Sequence, residues 1–283
     1  MADKDQPQGR ELAEVDDGEG HKNKRKAEKQ TPEAKSPDKN KQKRRKITEE
    51  DNYDDELGIN LSVGEMSSQL LVDYLAQRSK RFEPKLTMKE TADQYIPQEA
   101  VVDTTSFRRP RATKNLGFFL KEFAGEGLSF APKDNGSPHT LVIAGAALRA
   151  TDLTRLLRGL QSGDAKVGKL FAKHIKLEEA KEFCEKNRYA PFLNLELPGL
   201  HSISMSLGVG TPKRISDLLD EGALSSKHLK SIIIDASYVN QKRQGILDIR
   251  ETHLPLINLL SRSEFRKRYD GSDKDDRLKL LFY

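Results

Sequence analysis

The residues that could do chemistry in this sequence are one short segment and two isolated positions. The segment 210–214 reads GTPKR and places two cations just inside a helix start, where unpaired N–H groups and the helix dipole favour an anion. Arg149 and Asp235 each follow a short apolar run. Ligands of open α/β sheets lie at the carboxyl ends of such strands. The pattern therefore indicates binding of phosphate rather than covalent catalysis.

Each of these residues also has a purely structural interpretation. Thr211 and Pro212 make a good helix start by themselves, with a capping hydroxyl at the N-cap and proline at the first helical position. Arg149 could be a surface arginine without a partner. For Asp235 we expect a capping or sheet-end hydrogen bond rather than a bound metal. Gly210, Thr211, Lys213, Arg214 and Arg149 are the predicted phosphate contacts.

Two further cations, Lys242 and Arg243, stand in the loop NQKRQG. They could contact RNA or an acidic protein, or they could only be solvated. Because Cys184 is the only cysteine in this sequence, no internal disulfide is possible, and its helical spacing from other apolar residues predicts that it packs in a core. The six histidines show no spacing that would bring two onto one helix face, so we expect neither a metal nor a cofactor.

A phosphate-binding P-loop is missing from the sequence. The nearest fragment, GDAKVGKLF, has Gly168 and Lys169 entering an apolar strand and no hydroxyl residue after the lysine. A P-loop needs that order because its amides wrap the phosphates, its lysine reaches the outer ones and its hydroxyl binds magnesium. The sequence therefore predicts a protein that is not an enzyme and has no small-molecule substrate.

The N-terminal segment, residues 1–63, is predicted to be a disordered charged tail. Residues 1–57 hold 14 basic and 16 acidic residues, sorted into blocks with almost no apolar residues among them. Residues 58–283 carry a formal charge of +7, which suits a polyanionic partner. A basic cluster in the tail indicates a nuclear import signal or a phosphate-seeking tail, although it could be merely solubilising. The cluster comprises Lys41, Lys43, Arg44, Arg45 and Lys46.

Residues 64–283 are predicted to form one domain, and residues 64–112 its N-terminal helix and extended strap. The helix places Leu70, Leu71, Tyr74 and Leu75 on one stripe. A second amphipathic helix follows the strap. Its apolar residues are Leu116, Phe119, Leu120 and Phe123.

From residue 141 onward, apolar strands alternate with amphipathic helices. We expect strands at 141–146, 169–174, 202–210 and 231–236 and in the terminal LKLLFY. Strands buried on both faces and separated by helices predict a three-layer α/β fold with a parallel sheet. The sequence shows no run of 18 apolar residues and no signal-peptide pattern, which predicts a soluble intracellular protein without a membrane partner.

Three segments of this alternation are similar to the first RecA-like domain of DEAD-box RNA helicases, in the same order. LVIAGAALRATDL resembles motif Ia, with Arg149 at that motif's arginine, and VGTPKRISDLL resembles the RNA-holding motif Ib. LKSIIIDASY occupies the place of motif II, but Ala236, Ser237 and Tyr238 replace Glu, Ala and Asp. The glutamate that would activate water is therefore absent, in addition to the P-loop. The resemblance implies a RecA-like domain that has lost its catalytic groups.

The combination of KLFAKHIKLEEAKEF, VGTPKRISDLL and IIIDASYVNQKRQGILDIRET is more specific than any single motif. In it the chain resembles the fungal form of the Cms family of nucleolar small-subunit ribosome assembly factors, over residues 64–283. The resemblance implies a nuclear and nucleolar protein of the small-subunit processome, a ribonucleoprotein of ribosome biogenesis and rRNA processing. Its expected partners are pre-ribosomal RNA and assembly proteins. Two alternatives stay open: an RNA-dependent ATPase or helicase, and a protein-only scaffold that keeps a basic face.

Overall fold

A five-stranded parallel sheet is the centre of the computed structural model of the protein. The strands are β1 (Tyr53–Asp54), β2 (Ile59–Asn60), β3 (Thr140–Ile143), β4 (Lys166–Leu170), β5 (Met205–Gly210), β6 (Ser231–Ile234) and β7 (Lys279–Phe282). The first two form a small antiparallel pair, and the other five form the sheet in the order β4-β5-β3-β6-β7. All its strand pairs are parallel, so the predicted α/β fold class with a parallel sheet is confirmed.

The structure describes residues 52–125, 134, 136–159, 166–171, 205–270 and 276–283. Most of the predicted tail, including its basic cluster, and the helix predicted around Cys184 lie outside this set. None of the described helices is long and apolar enough to cross a membrane.

Eight helices surround the sheet in the described part of the chain. They are α1 (Ser62–Glu65), α2 (Ser68–Phe82), α3 (Met88–Gln94), α4 (Leu116–Phe119), α5 (Ala147–Arg158), α6 (Pro212–Asp220), α7 (Arg250–Leu260) and α8 (Ser263–Arg266). Helix α4 continues into a π-helical turn at Leu120–Ala124.

The sheet separates two cores because strand side chains alternate between its faces. Leu141 and Ile143 belong to the core that contains residues of α2, α6 and α7. Val142 and Ile233 belong to the other core, with residues of α4 and α5. Helices on both faces of the sheet make the predicted three layers.

The strand register brings the predicted site residues to one edge of the sheet. Ile143 is paired with both Gly210 and Ile234, so the carboxyl ends of β3, β5 and β6 lie level. Asp235 and Thr211 directly follow two of these strands. The carboxyl edge of the sheet is therefore the place where a functional site can form.

Two strand bounds differ from the predicted ones. The strand predicted at 141–146 ends at Ile143, and at Gly145 beyond it a Cβ would lie 3.2 Å from the Cβ of Ile246. Strand β4 begins earlier than predicted, at Lys166, and it includes Gly168, where a Cβ would lie 2.0 Å from the sulfur of Met205. Both glycines leave room for residues far away in the chain, a constraint that local sequence patterns do not report.

Residues 52–63 are structured, contrary to the prediction that the tail reaches residue 63. Gly58 takes a left-handed φ of 62° between β1 and β2, which glycine adopts without strain. Ile59 is 1% exposed, and the N–H of Asn60 donates to the carbonyl of Ser237 at 2.7 Å. The burial of Ile59 and Val63 and the backbone pairing to the loop after β6 explain why a segment whose composition predicts disorder is ordered.

Helix α2 buries two of the four residues of the predicted stripe, Leu71 and Leu75, together with Val72. Leu71, Val72 and Leu75 are each 1% exposed, whereas Leu70 is 52% exposed. The helix begins at Ser67, whose hydroxyl accepts a hydrogen bond from the N–H of Leu70. The core lies under positions 71, 72, 75 and 79, so residue 70 falls on the flank of the helix.

The predicted strap crosses the edge of the sheet and is held there by one buried arginine. The N–H of Val102 donates to the carbonyl of Leu280 in the edge strand β7 at 2.9 Å. The Arg111 guanidinium donates to the carbonyls of Phe282 and Thr104 and is 5% exposed. Burial lowers the pKa of Arg111 to about 10, which still leaves it charged at neutral pH. The strap is not extended throughout, because α3 lies within it.

A buried histidine couples α7 to α2. His253 is 0% exposed, with its Nε2 atom 2.9 Å from the hydroxyl of Ser79 and its ring 5.3 Å from that of Phe82. Burial and the charge of Arg78 lower the pKa of His253 to about 4. The imidazole is therefore neutral in the folded protein at pH values where the unfolded chain already binds a proton.

We expect acid to destabilise the protein through His253. A lowered folded-state pKa means that stability is full above the unfolded value near pH 6.5 and falls as the pH drops toward 4. Between about pH 7.5 and about pH 5 the protein should lose roughly 1–2 kcal/mol more than a His253→Gln variant does. Urea unfolding at both pH values measures this difference. Equal losses in the two proteins would contradict the assignment.

Candidate functional site

A buried ion pair joins the two residues at the centre of the carboxyl edge. The Nε atom of Arg149 donates to Oδ2 of Asp235 at 2.7 Å, and Nη2 donates to Oδ1 at 2.9 Å. The Tyr238 ring lies over the guanidinium, with 4.2 Å between the guanidinium carbon and the ring centroid. The remaining Nη1 atom donates to the hydroxyl of Thr113. Helix α5, the loop after β6 and the segment before α4 thus meet at one guanidinium.

The electrostatics of this pair favour the charged arginine. Burial alone would lower the pKa of Arg149, but the hydrogen bonds and the negative charge of Asp235 outweigh it and raise the pKa above its ordinary value. A bidentate pair between guanidinium and carboxylate is the strongest common form of such a contact. Both carboxylate oxygens of Asp235 are occupied by it.

The position of Arg149 contradicts both interpretations of this residue. Its side chain is 6% exposed and fully engaged, so it neither presents its charge to a phosphate nor lies on the surface without a partner. The sheet-end hydrogen bond expected for Asp235 is present, but its donor is a residue 86 positions earlier in the chain. Register across the sheet creates this contact, and local patterns could not predict it.

No side chain caps the backbone amides at the start of α6. Thr211 is the N-cap residue and Pro212 follows it at the first helical position, as predicted, but the Thr211 hydroxyl makes no capping hydrogen bond. Gly210 has a structural reason, because a Cβ there would lie 2.3 Å from the carbonyl oxygen of Leu170. The free first-turn N–H groups are the part of this edge that can accept an anion.

The two cations after this helix start differ in their surroundings. Lys213 is exposed and donates to Asp217 at 2.7 Å, and this hydrogen bond with the carboxylate charge raises its pKa. Arg214 is partly buried, and its Nη1 atom is shielded from solvent without a hydrogen-bond acceptor among the described residues. The Nη1 atom of Arg214 could donate a hydrogen bond to a ligand, whereas Lys213 would first have to release Asp217.

The loop after β6 supplies one free cation and one engaged cation. Arg243 has a left-handed φ of 55°, and its guanidinium donates to both carboxylate oxygens of Asp55, at 3.0 and 2.6 Å. The hydrogen bond from Arg243 lowers the pKa of Asp55. The Lys242 side chain is exposed and forms no ion pair with a described carboxylate.

A further cationic surface at the strap was not predicted. Arg109 lies over the Phe118 ring, with 4.2 Å between the guanidinium carbon and the ring centroid, and Phe118 is 50% exposed. Arg108 is also exposed, and neither arginine forms an ion pair in the described part of the chain. The run RRPR at 108–111 was the available signal, but it does not distinguish the buried Arg111 from its exposed neighbours.

We expect the Arg149–Asp235 pair to be essential for folding stability. Changing Arg149→Met should cost about 3–5 kcal/mol in urea unfolding, because it leaves a buried carboxylate uncompensated. Arg155→Met is the matched control on the same helix, since its pair with Asp152 is exposed, and it should cost less than about 1 kcal/mol. Equal costs in the two variants would show that the buried pair is not a central contact.

Comparison with known proteins is consistent with the predicted resemblance. A family model described as "CMS1: U3-containing 90S pre-ribosomal complex subunit" matches residues 9–283. Protein CMS1 of Chaetomium thermophilum is 42% identical over 247 residues, which are 86% of this chain and 91% of that protein. Protein cms1 of Schizosaccharomyces pombe is 32% identical over 197 residues, 69% of this chain and 64% of that protein.

Among solved structures, the chain is similar to a DEAD box protein from the hyperthermophile Methanococcus jannaschii. That similarity has a TM-score of 0.35 and 16% identity, and it covers 62% of this chain and 37% of the other. The yeast DEAD-box splicing factor Prp28 gives a TM-score of 0.33 and 18% identity, over 62% of this chain and 30% of the other. The family match covers nearly the whole chain, and this protein therefore belongs to the CMS1 family.

Proposed function

We propose that this protein is a non-catalytic ribosome biogenesis factor of the small-subunit pre-ribosome, where it binds pre-ribosomal RNA and neighbouring assembly proteins. The family description supports membership of a U3-containing 90S pre-ribosomal complex. The basic balance of residues 58–283 supports a polyanionic partner. In this proposal the protein acts in the nucleolus, and Lys41 to Lys46 direct its nuclear entry.

The observation that carries the non-catalytic part is the engagement of Asp235. Both oxygens of this carboxylate accept hydrogen bonds from the Arg149 guanidinium, whose positive charge already balances the negative charge that would otherwise attract magnesium. The cavity beside it, lined by Tyr238 and Ile246 among others, has a volume of about 70 Å³. Pockets for small molecules measure about 300–1,000 Å³. A nucleotide therefore lacks both a phosphate cradle and sufficient space.

RNA binding is supported by cations that remain available at the carboxyl edge. The free amides at the start of α6 and the exposed Lys242 can each contact a phosphate, and the partly buried Arg214 guanidinium, whose Nη1 atom has no acceptor among the described residues, could join them after a local side-chain movement. Arg109 and Phe118 add a stacked cation and an exposed ring, a combination that suits unpaired bases. Arg149 takes no part in this proposal, because it is buried. Arg243 would first have to release Asp55.

We expect no saturable binding of Mg·ATP up to about 1 mM and no hydrolysis, with or without RNA. The reason is the engaged Asp235 together with the missing P-loop. Isothermal titration and a phosphate-release assay on the full chain measure both quantities. Lys169→Ala, in the incomplete P-loop fragment, should change neither. RNA-stimulated phosphate release that disappears in this variant would favour an ATPase instead.

Binding to RNA should depend on salt through the start of α6. Changing Lys213→Ala and Arg214→Ala together removes two phosphate contacts, so the slope of log affinity against log salt should flatten by about 1.4 units. Fluorescence anisotropy with an unstructured RNA oligonucleotide and the full chain measures the slope at several salt concentrations.

The control for that experiment removes equal charge elsewhere. Lys85→Ala with Lys89→Ala alters two exposed lysines in and just before α3, which are not part of the start of α6, and should leave the slope unchanged. Equal slopes in both double variants would place the RNA contacts outside α6. No binding by the unaltered protein would favour the protein-only scaffold.

A further inference from the structure

An open apolar groove lies between α2 and α3, on the side of the molecule that α7 also borders. It is lined by Val72, Leu75 and Ala76 from α2, by Leu86 and Met88 around the start of α3, and by Ile257 from α7. Its volume is about 310 Å³. We name it the α2–α3 groove.

Helix α3 is held at both of its ends by polar contacts. Thr87 and Glu90 form a capping box at its start, with the Thr87 N–H donating to the Glu90 carboxylate at 2.8 Å. At its other end the Arg266 guanidinium donates to the carbonyls of Ala92 and Asp93. None of its seven residues is buried, and Met88 is 92% exposed. Helices this short are stabilised mainly by packing against other elements. Because none of its residues is buried, α3 lacks such packing on its inner side.

One polar atom in the groove also lacks a partner. The Oε1 atom of Gln94 is shielded from solvent and accepts no hydrogen bond in the described structure. A shielded acceptor without a donor destabilises the structure. Gln94 lines the groove, so a segment bound there could supply a donor such as a backbone N–H.

The charges around the groove indicate the chemistry of the occupant. Lys80, Lys85 and Lys89 are exposed and form no ion pair with any described carboxylate. The acidic neighbours are engaged, because Glu83 lies 3.7 Å from the Arg250 guanidinium and Glu90 belongs to the capping box. The net unpaired charge is positive, and it surrounds an apolar floor.

We infer that the α2–α3 groove docks a segment of a partner protein that carries apolar anchors flanked by Asp or Glu. The apolar side chains of such a segment would cover Met88 and fill the groove, its backbone would donate to Gln94, and its carboxylates would meet the three lysines. RNA fits this site poorly, because the floor is aliphatic. The inference rests on the proposed function for one point only, namely that the partner belongs to the pre-ribosomal particle.

Photo-crosslinking of the full chain in isolated particles tests this inference. The change Met88→p-benzoylphenylalanine alters a fully exposed side chain and should leave the fold intact. We expect a crosslink to a protein segment that contains apolar residues flanked by Asp or Glu. The same substitution at Leu148, which is 61% exposed next to the carboxyl edge, is the matched control and should not reach that segment.

A charge reversal makes the test specific. Changing Lys80→Glu, Lys85→Glu and Lys89→Glu together should reduce the Met88 crosslink, per particle-bound molecule, by about tenfold or more, equivalent to about 1.4 kcal/mol. The control reverses Arg155, Arg158 and Lys227 to Glu, also exposed, and should leave the yield unchanged. An unchanged yield in the first variant would overturn the inference.

The remaining outcomes also decide the question. A Met88 crosslink only to RNA, only to a second copy of this chain, or to no molecule in particle-bound protein overturns the groove inference. Failure of the proposed function looks different, because the unaltered protein would then not sediment with the pre-ribosomal particle. Particle association that survives without the expected crosslink therefore rejects the groove alone.

Discussion

The buried guanidinium of Arg149 is the contact on which the carboxyl edge of this protein depends. Arg149 itself lies in α5, and its guanidinium contacts Asp235 and the Tyr238 ring in the loop after β6 and Thr113 in the segment before α4. Three separate parts of the chain are therefore joined by one charged group. A buried charge is tolerated only when its hydrogen bonds are satisfied, so each of these parts constrains the others. The same edge is where an open α/β sheet would otherwise offer a ligand site.

Because Arg149 and Asp235 bind each other at the centre of this edge, the groups that can still bind a ligand lie around them. Both oxygens of the Asp235 carboxylate accept hydrogen bonds from Arg149, and the cavity beside it that the described residues line measures about 70 Å³, below the usual size of a small-molecule pocket. The free amides at the start of α6 and the Arg214 guanidinium face no such restriction. The arrangement is therefore better suited to binding a polyanion than to catalysing a reaction of one, as we propose for a pre-ribosomal subunit.

The α2–α3 groove and the carboxyl edge differ in kind. The groove has an aliphatic floor and three unpaired lysines around it, whereas the edge presents amides, arginines and the exposed Phe118 ring. An apolar surface favours the binding of a protein segment, whereas stacked rings with guanidinium groups favour the binding of unpaired nucleotides. Two surfaces of different chemistry would allow one small domain to connect an RNA and a protein within the same particle.

The sequence by itself determined the parallel α/β sheet, the strap, the helix start at Thr211 and the absence of a P-loop, because these depend on local periodicity and short motifs. It could not determine the partner of Asp235, the burial of Arg149 and Arg111, or the fact that residues 52–63 are structured. Those features depend on sheet register and on contacts between residues far apart in the chain. An arginine has the same local signature whether a carboxylate 86 positions away meets it or water does, and only the tertiary structure decides between the two.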